Sequence, residues 1–278
     1  MMPIKDILTI LDLAGEQPAA KYALEFGRVH DAHVTGLAVS FEPVVPAFAA
    51  APMPVDYLQA AHDQAVAAAK DAQSQFDEFA RLAGVNNESR LAEILTGGPL
   101  DNVLVHCRAT DLVVIGQSNP DTPEPMRELL IETVLFESGV PVLLVPYIGS
   151  KAFEPNNVLI GWDGSTTATR AIHSALPVLE KADKVTILVI EKSANSDNGQ
   201  PGAEVANYLA RHNMNVTIEV VNNPQTGVAD TVLNHVSDNG NDLVVMGGYG
   251  HSRMREFLFG GATREILESM TVPVLMAH

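Results

Sequence analysis

Between Val244 and Leu267 the chain reads VVMGGYGHSRMREFLFGGATREIL and holds five of its twenty glycines, a density that asks for a physical reason. An apolar strand pattern delivers Met246 and Gly247, and Gly250 follows. After nine intervening residues, Gly260 and Gly261 precede Ala262, Ile266, Leu267 and Met270, which share one helical face. Glycine loses more backbone freedom on folding than any other residue, so such clusters mark tight turns or a close approach of backbone to something else. Gly260 and Gly261 fall at a helix N-terminus. Free N–H groups and the helix dipole there favour an anion such as phosphate. On spacing alone, tight turns account for these glycines equally well. A second candidate is Asp163, which ends the apolar strand of VLIGWDGS just after Gly161 and Trp162.

Other chemistries find less support. There is no Gly-x-x-x-x-Gly-Lys-Ser/Thr phosphate loop, and no Gly-x-Gly-x-x-Gly follows a first strand. The Ser-Gly-Gly-x-Asp-Ser signature of adenylating pyrophosphatases is missing too. The nine histidines include no His-Glu-x-x-His pair, and no metal site is expected. His251 reads as a solvated loop residue, Glu180 and Glu191 as solvated element ends, and Trp162 as packed under the first-strand turn. The single cysteine, Cys107, reads as a small buried residue on a helix. No general base, nucleophile–base pair or residue placed to orient water emerges, so catalysis is not expected.

Composition narrows the partners. A formal net charge of −17, with no Lys/Arg cluster, argues against nucleic acid and against an anionic membrane surface. It leaves room for a small anion held by backbone N–H groups. Hydrophobic residues make up 46% of the 278, enough for packed cores in two ordinary domains. MMPIKDILTILDL has an early acid and no long apolar core, so it is not read as a signal peptide. No run approaches the ~18 apolar residues of a membrane span. One cysteine fits a reducing compartment, and a cytoplasmic protein is expected.

The elements that must position these residues come in duplicate. TDLVVIGQSNP (110–120) reads beside NDLVVMGGYGH (241–251), and ESGVPVLLVP (137–146) beside ESMTVPVLMAH (268–278). Residues 6–39 read beside 157–190, so each half opens with a strand ending in Asp, Asp12 or Asp163. An internal duplication is the simplest account. In the second half we expect strands near 157–162, 184–190, 215–221, 242–247 and 272–277. Helices are expected near 166–181, 201–212, 226–238 and 261–270. Short Val/Ile/Leu-rich strands alternating with helices imply parallel βαβ units in a doubly wound sheet. Ligands of such sheets sit beyond the carboxyl ends of the strands, where Asp163 and Gly247 fall. The domains are read as 1–148 and 155–278, joined through YIGSKAFEPNN (147–157). The first is lengthened by the apolar, Pro-rich segment 41–59 and a long helix over about 57–83.

The spacing Gly247-x-x-Gly250, nine residues, then Gly260 resembles the nucleotide motif of the universal stress protein family. VLIGWDGS is similar to that family's first strand, and the likeness covers the chain twice, as in a tandem member. The resemblance implies two doubly wound, five-stranded Rossmann-like domains of the adenine nucleotide alpha hydrolase type. They would form an intrachain pseudo-dimer through the two Val-Pro-Val strands. It also implies that Asp163 accepts from the adenine edge and that Gly161, Trp162 and Val189 border the base pocket. Met246 and Gly247 would flank adenine and ribose, while Gly250, Gly260, Gly261 and Ala262 offer backbone N–H groups to phosphate. The family usually has Ser or Thr where this chain has Gly261, which removes a hydroxyl from the phosphate site. Thr263, two residues on, is expected to face elsewhere.

The first half departs further. Gly116 survives, but QSNPDTPEPMRELL brings three prolines without N–H donors, and Asp121, Glu124 and Glu128 repel phosphate. Asp12 then reads as a turn or helix-cap residue. The leading expectation is a non-catalytic stress-response protein holding ATP, ADP or AMP in its second half, with Mg accompanying ATP and slow hydrolysis a minor reading. A homodimer is compatible with it. The runner-up is a nucleotide-free scaffold, or a binder of a small apolar ligand or partner.

Overall fold

The computed structural model describes residues 3–42, 55–124, 126–149, 155–191, 201–249 and 261–278. Contacts divide the chain into two compact units, one of Ile4–Val140 and one of Pro141–His278 with the first three residues. Among the described residues no helix is long and apolar enough to cross a membrane.

In the second unit, β6 (Asn157–Trp162), β7 (Lys184–Glu191), β8 (Val216–Asn222), β9 (Leu243–Gly247) and β10 (Val274–Ala277) lie in the order β10-β9-β6-β7-β8. All four neighbouring pairs are parallel. Helices α5 (Thr166–Leu179), α6 (Ala203–Arg211), α7 (Val228–Asn239) and α8 (Gly261–Ser269) alternate with them. Every element falls within two residues of its expected bounds. Val158, Leu159, Ile160, Val185 and Ile187 are fully buried, which explains strands that read as continuous apolar runs rather than alternating ones. Strand order reverses between β6 and β9. Such a switch point opens a crevice at the carboxyl ends of the strands.

The sixth strand of this unit is β5 (Val142–Val145), whose sequence belongs to the first repeat. It pairs antiparallel with β10 through Val274↔Leu144, Leu275↔Leu143 and Met276↔Val142. The last strands of the two repeats thus meet, as the pseudo-dimer reading requires.

The first unit repeats the winding with β1 (Asp6–Ile10), β2 (His33–Glu42), β3 (Asn87–Leu95) and β4 (Leu112–Gly116), ordered β3-β2-β1-β4 and parallel. Its helices are α1 (Pro18–His30), α2 (Val55–Ala83), α3 (Asp101–Cys107) and α4 (Arg127–Glu137). α2 lies on β2 so closely that a Cβ on Gly36 would stand 2.5 Å from the Phe76 ring. β2 takes in Phe41 and Glu42, and α2 takes in residues 55–59, from either end of the Pro-rich segment. The intervening 43–54 lie outside the described residues.

Candidate functional site

The switch point of the second unit is built by strand register. Gly161 pairs with Met246 and Trp162 with Val189, so Gly161, Trp162, Val189, Met246 and Gly247 reach the carboxyl edges of three adjacent strands together. Asp163 follows directly. Its Oδ1 accepts the Ser165 N–H at 2.9 Å, a local turn that leaves the carboxylate exposed. Gly164 has φ of +75°, and Ser165 caps α5 by accepting the Ala168 N–H at 3.1 Å. The sequence DGS therefore ends a strand, turns through a left-handed residue and starts a helix, presenting one carboxylate at the crevice.

Gly247 has a packing reason of its own. A Cβ there would lie 2.5 Å from Thr167 Oγ1 and 2.6 Å from Ala168 N, so the strand end rests on the first turn of α5. Gly161 is looser, its Cβ position 3.4 Å from Met246 Cβ. Val189 is buried, with Cγ2 3.2 Å from the Cβ position of Gly202, which precedes α6. Trp162 is half-buried and lines a cleft with Ile172 and His173 of α5 and Val205 and Tyr208 of α6.

The far side of the crevice is partly described. Gly250, His251 and Gly260 lie outside the described residues. Gly261 is the first residue of α8, followed by Ala262, so its backbone is helical rather than left-handed. Its Cβ position is 3.4 Å from Glu265 Oε1, which sets a carboxylate beside the helix start. Thr263 is buried, and its Oγ1 accepts the Tyr249 N–H at 3.2 Å. It fastens the loop after β9. Tyr249 itself has φ of +52°.

The equivalent crevice of the first unit is filled from within. Arg127 of α4 reaches the end of β1, where Nη2 lies 3.0 Å from Asp12 Oδ1 and donates to the Leu11 carbonyl at 3.3 Å. The same nitrogen donates to Glu124, whose other oxygen accepts the Leu13 N–H at 2.8 Å. The Arg127 side chain is 3% exposed. Asp12 Oδ1 stands 2.6 Å from the Cβ position of Gly116, so the carboxylate covers the end of β4. Burial pushes the Asp12 carboxyl up to about 6, against the pull of Arg127 and with a further push from Glu124. The reading of Asp12 as a turn or cap residue is thus corrected. α1 starts at a left-handed Gln17 with no side-chain cap, and Asp12 is one side of a buried ion pair. Glu124, read as a charge that repels phosphate, serves that pair. Arg127 was missed, although its i, i+3 spacing from Glu124 was visible. Cys107 is fully buried in α3, and its thiol is pushed up to about 12 by that burial.

A parallel sheet wound in this order, with a carboxylate following β6 at the switch point, defines a doubly wound α/β fold, the class whose ligands sit at such strand ends. Residues 155–278 match the model of the universal stress protein family, and the chain carries a universal stress protein domain over that stretch. The universal stress protein Slr1230 of Synechocystis sp. is 27% identical over 175 residues, covering 59% of this chain and 57% of that protein. The chain thus matches little more than half the length of that relative. Two solved structures share the fold over nearly the whole chain. A universal stress protein from Archaeoglobus fulgidus has a TM-score of 0.70 at 16% identity, covering 98% of this chain and 97% of its own. A putative universal stress protein from Pseudomonas aeruginosa has a TM-score of 0.56 at 18% identity, covering 98% and 92%.

Proposed function

We propose that the second unit binds an adenine nucleotide, ATP or AMP, at the β6–β9 switch point, and that the protein acts in the cytoplasm as a nucleotide-responsive stress protein without catalysis of its own. The observation that carries this is the convergence of Asp163, Val189, Met246 and Gly247 at adjacent strand ends. Asp163 is exposed and, among the described residues, engaged only in its local turn, which leaves it able to accept from a base edge. Gly161, with no side chain at its strand end, is the proposed place for a base beside Asp163, and the N–H groups of Gly250, Gly260, Gly261 and Ala262 are the proposed partners of phosphate. Glu265 beside α8 opposes added negative charge, which favours AMP over ATP in this chain. In the first unit the Arg127–Asp12 pair occupies the corresponding position, so one site per chain is expected.

Titration calorimetry with AMP, ADP and ATP tests this. We expect one site per chain, lost in Asp163→Ala and kept in Asp12→Ala. Two equivalent sites, or equal losses from both substitutions, would contradict it. A second reading, a nucleotide-free binder of a small apolar ligand, draws on the cleft lined by Trp162, Ile172, Val205 and Tyr208. Absence of binding or thermal shift with all three nucleotides at millimolar concentration would favour it.

A further inference from the structure

The first unit brings together three side chains that its sequence keeps far apart: Glu42 at the end of β2, His62 on α2 and Glu93 on β3. One ligand atom from each lies within 4.8 Å of the others. The fold places them for definite reasons. Glu93 pairs with Ser40 and Glu42 with Leu95, so the two carboxylates are diagonal neighbours on one face of the sheet. α2 covers that face, and every seventh residue of the helix points toward it. Phe76 and Ala69 do so as fully buried packing residues. His62 is the next position in the series, where the apolar contacts give out and the side chain is about a third exposed.

His62 Nδ1 and Glu42 Oε1 are 3.6 Å apart, too far for a hydrogen bond. It is near the separation of two ligands that each lie ~2.0–2.2 Å from one tetrahedrally coordinated ion. Imidazole suits first-row transition ions, and two carboxylates supply the negative charge that a divalent cation needs. The chain's His-x-x-His spacing, His30 and His33, makes no such set: His30 Nδ1 meets the Phe26 carbonyl at 3.0 Å, while His33 faces Asp6 at 3.6 Å.

We propose that Glu42, His62 and Glu93 form a binding site for a divalent first-row transition ion, with zinc as the preferred ion and its remaining positions open to water or a further ligand. The site belongs to the unit whose switch-point crevice is filled by Arg127, so the first repeat carries a ligand function unlike that of the second.

The test uses the full chain without an affinity tag, stripped with chelator and free of nucleotide. Zinc is titrated against a competing chromophoric chelator, and cobalt(II) absorption serves as a geometric readout. We expect one zinc per chain and a tetrahedral-type cobalt spectrum. His62→Ala and Glu93→Gln should each weaken zinc by more than the roughly 10- to 100-fold typical of changes around a metal site's outer shell. His212→Ala, in the other unit, should change nothing. Circular dichroism verifies that each variant is folded. If His62→Ala retains stoichiometric zinc, or if His212→Ala abolishes it, the site lies elsewhere and the proposal falls. Failure of the wild type to bind zinc at micromolar concentration overturns it as well.

Discussion

Asp12→Asn isolates the ion pair that fills the first crevice. Asp12 is a buried acid whose pKa rises from the ordinary 3.8 to about 6 because burial outweighs the attraction of Arg127. The folded state therefore holds its proton more tightly than the unfolded state. Between these two values the folded chain binds more protons, and stability falls as pH rises. The contribution is fully present below about pH 3.8 and lost above about pH 6. At ~1.4 kcal/mol per tenfold change in proton affinity, the whole effect is on the order of 3 kcal/mol. About 2 kcal/mol of it falls between about pH 4.5 and pH 7.5. Asparagine has no charge to lose, so the stability of wild type minus that of Asp12→Asn should drop by that amount over this range. The single tryptophan lies in the other unit, so urea unfolding is best followed by hydrogen-exchange mass spectrometry of peptides from β1 and β4, both proteins being compared at each pH. A pH-independent difference would refute the reasoning. A difference that grows in favour of wild type as pH rises would show that Arg127, not burial, dominates.

Three further outcomes follow from local geometry. Gly247→Ala drives a methyl group into the backbone of the first turn of α5, and overpacking of this kind costs about 1–3 kcal/mol, to be read as a lower melting temperature even without nucleotide. An unchanged melting temperature would show that the strand end yields freely. Gly261→Ser has a helical backbone and an ordinary 3.4 Å contact, so it should fold normally, with any gain in affinity appearing for ATP more than AMP in calorimetry. A hydrogen bond to a charged group, worth about 1.5–3 kcal/mol, sets that gain at roughly ten- to a hundred-and-fifty-fold; equal affinities before and after would remove the helix end from the phosphate site. Cys107, buried and with its thiol pushed up to about 12, should resist thiol reagents until the chain unfolds. Rapid labelling of the native protein would contradict its placement.

What the sequence made legible was whatever depends on local periodicity. The strands of the second unit, the turn at DGS and the helix from Gly261 all follow from short-range patterning, and each falls close to its expected bounds. The crevice was legible because strand ends carry it. Long-range partners were not. Arg127 meets Asp12 across more than a hundred residues, and nothing in either neighbourhood names the other. Glu42, His62 and Glu93 come from three elements, and only the sheet register with the packing face of α2 unites them. Gly247 shows a subtler limit. Its glycine was visible as a close approach of backbone to something, but a bound molecule and the first turn of α5 leave the same mark in a sequence. The structure supplies the second partner, and it accounts for the glycine without any ligand.

The two repeats therefore diverge at the same structural point. Each ends its first strand in an aspartate beside the switch, yet Asp163 is exposed and held by its own turn, while Asp12 is buried against a guanidinium. A guanidinium and the amino edge of a base both offer planar N–H donors to a carboxylate. The first crevice contains its own donor, fixed to α4 and neutralised by two carboxylates. Removing that donor alone would leave Asp12 buried without its partner, a loss of roughly 3–5 kcal/mol for a broken buried pair. The filled crevice is consequently hard to reverse by a single substitution, and duplication could keep one aspartate accessible while the other became part of the fold.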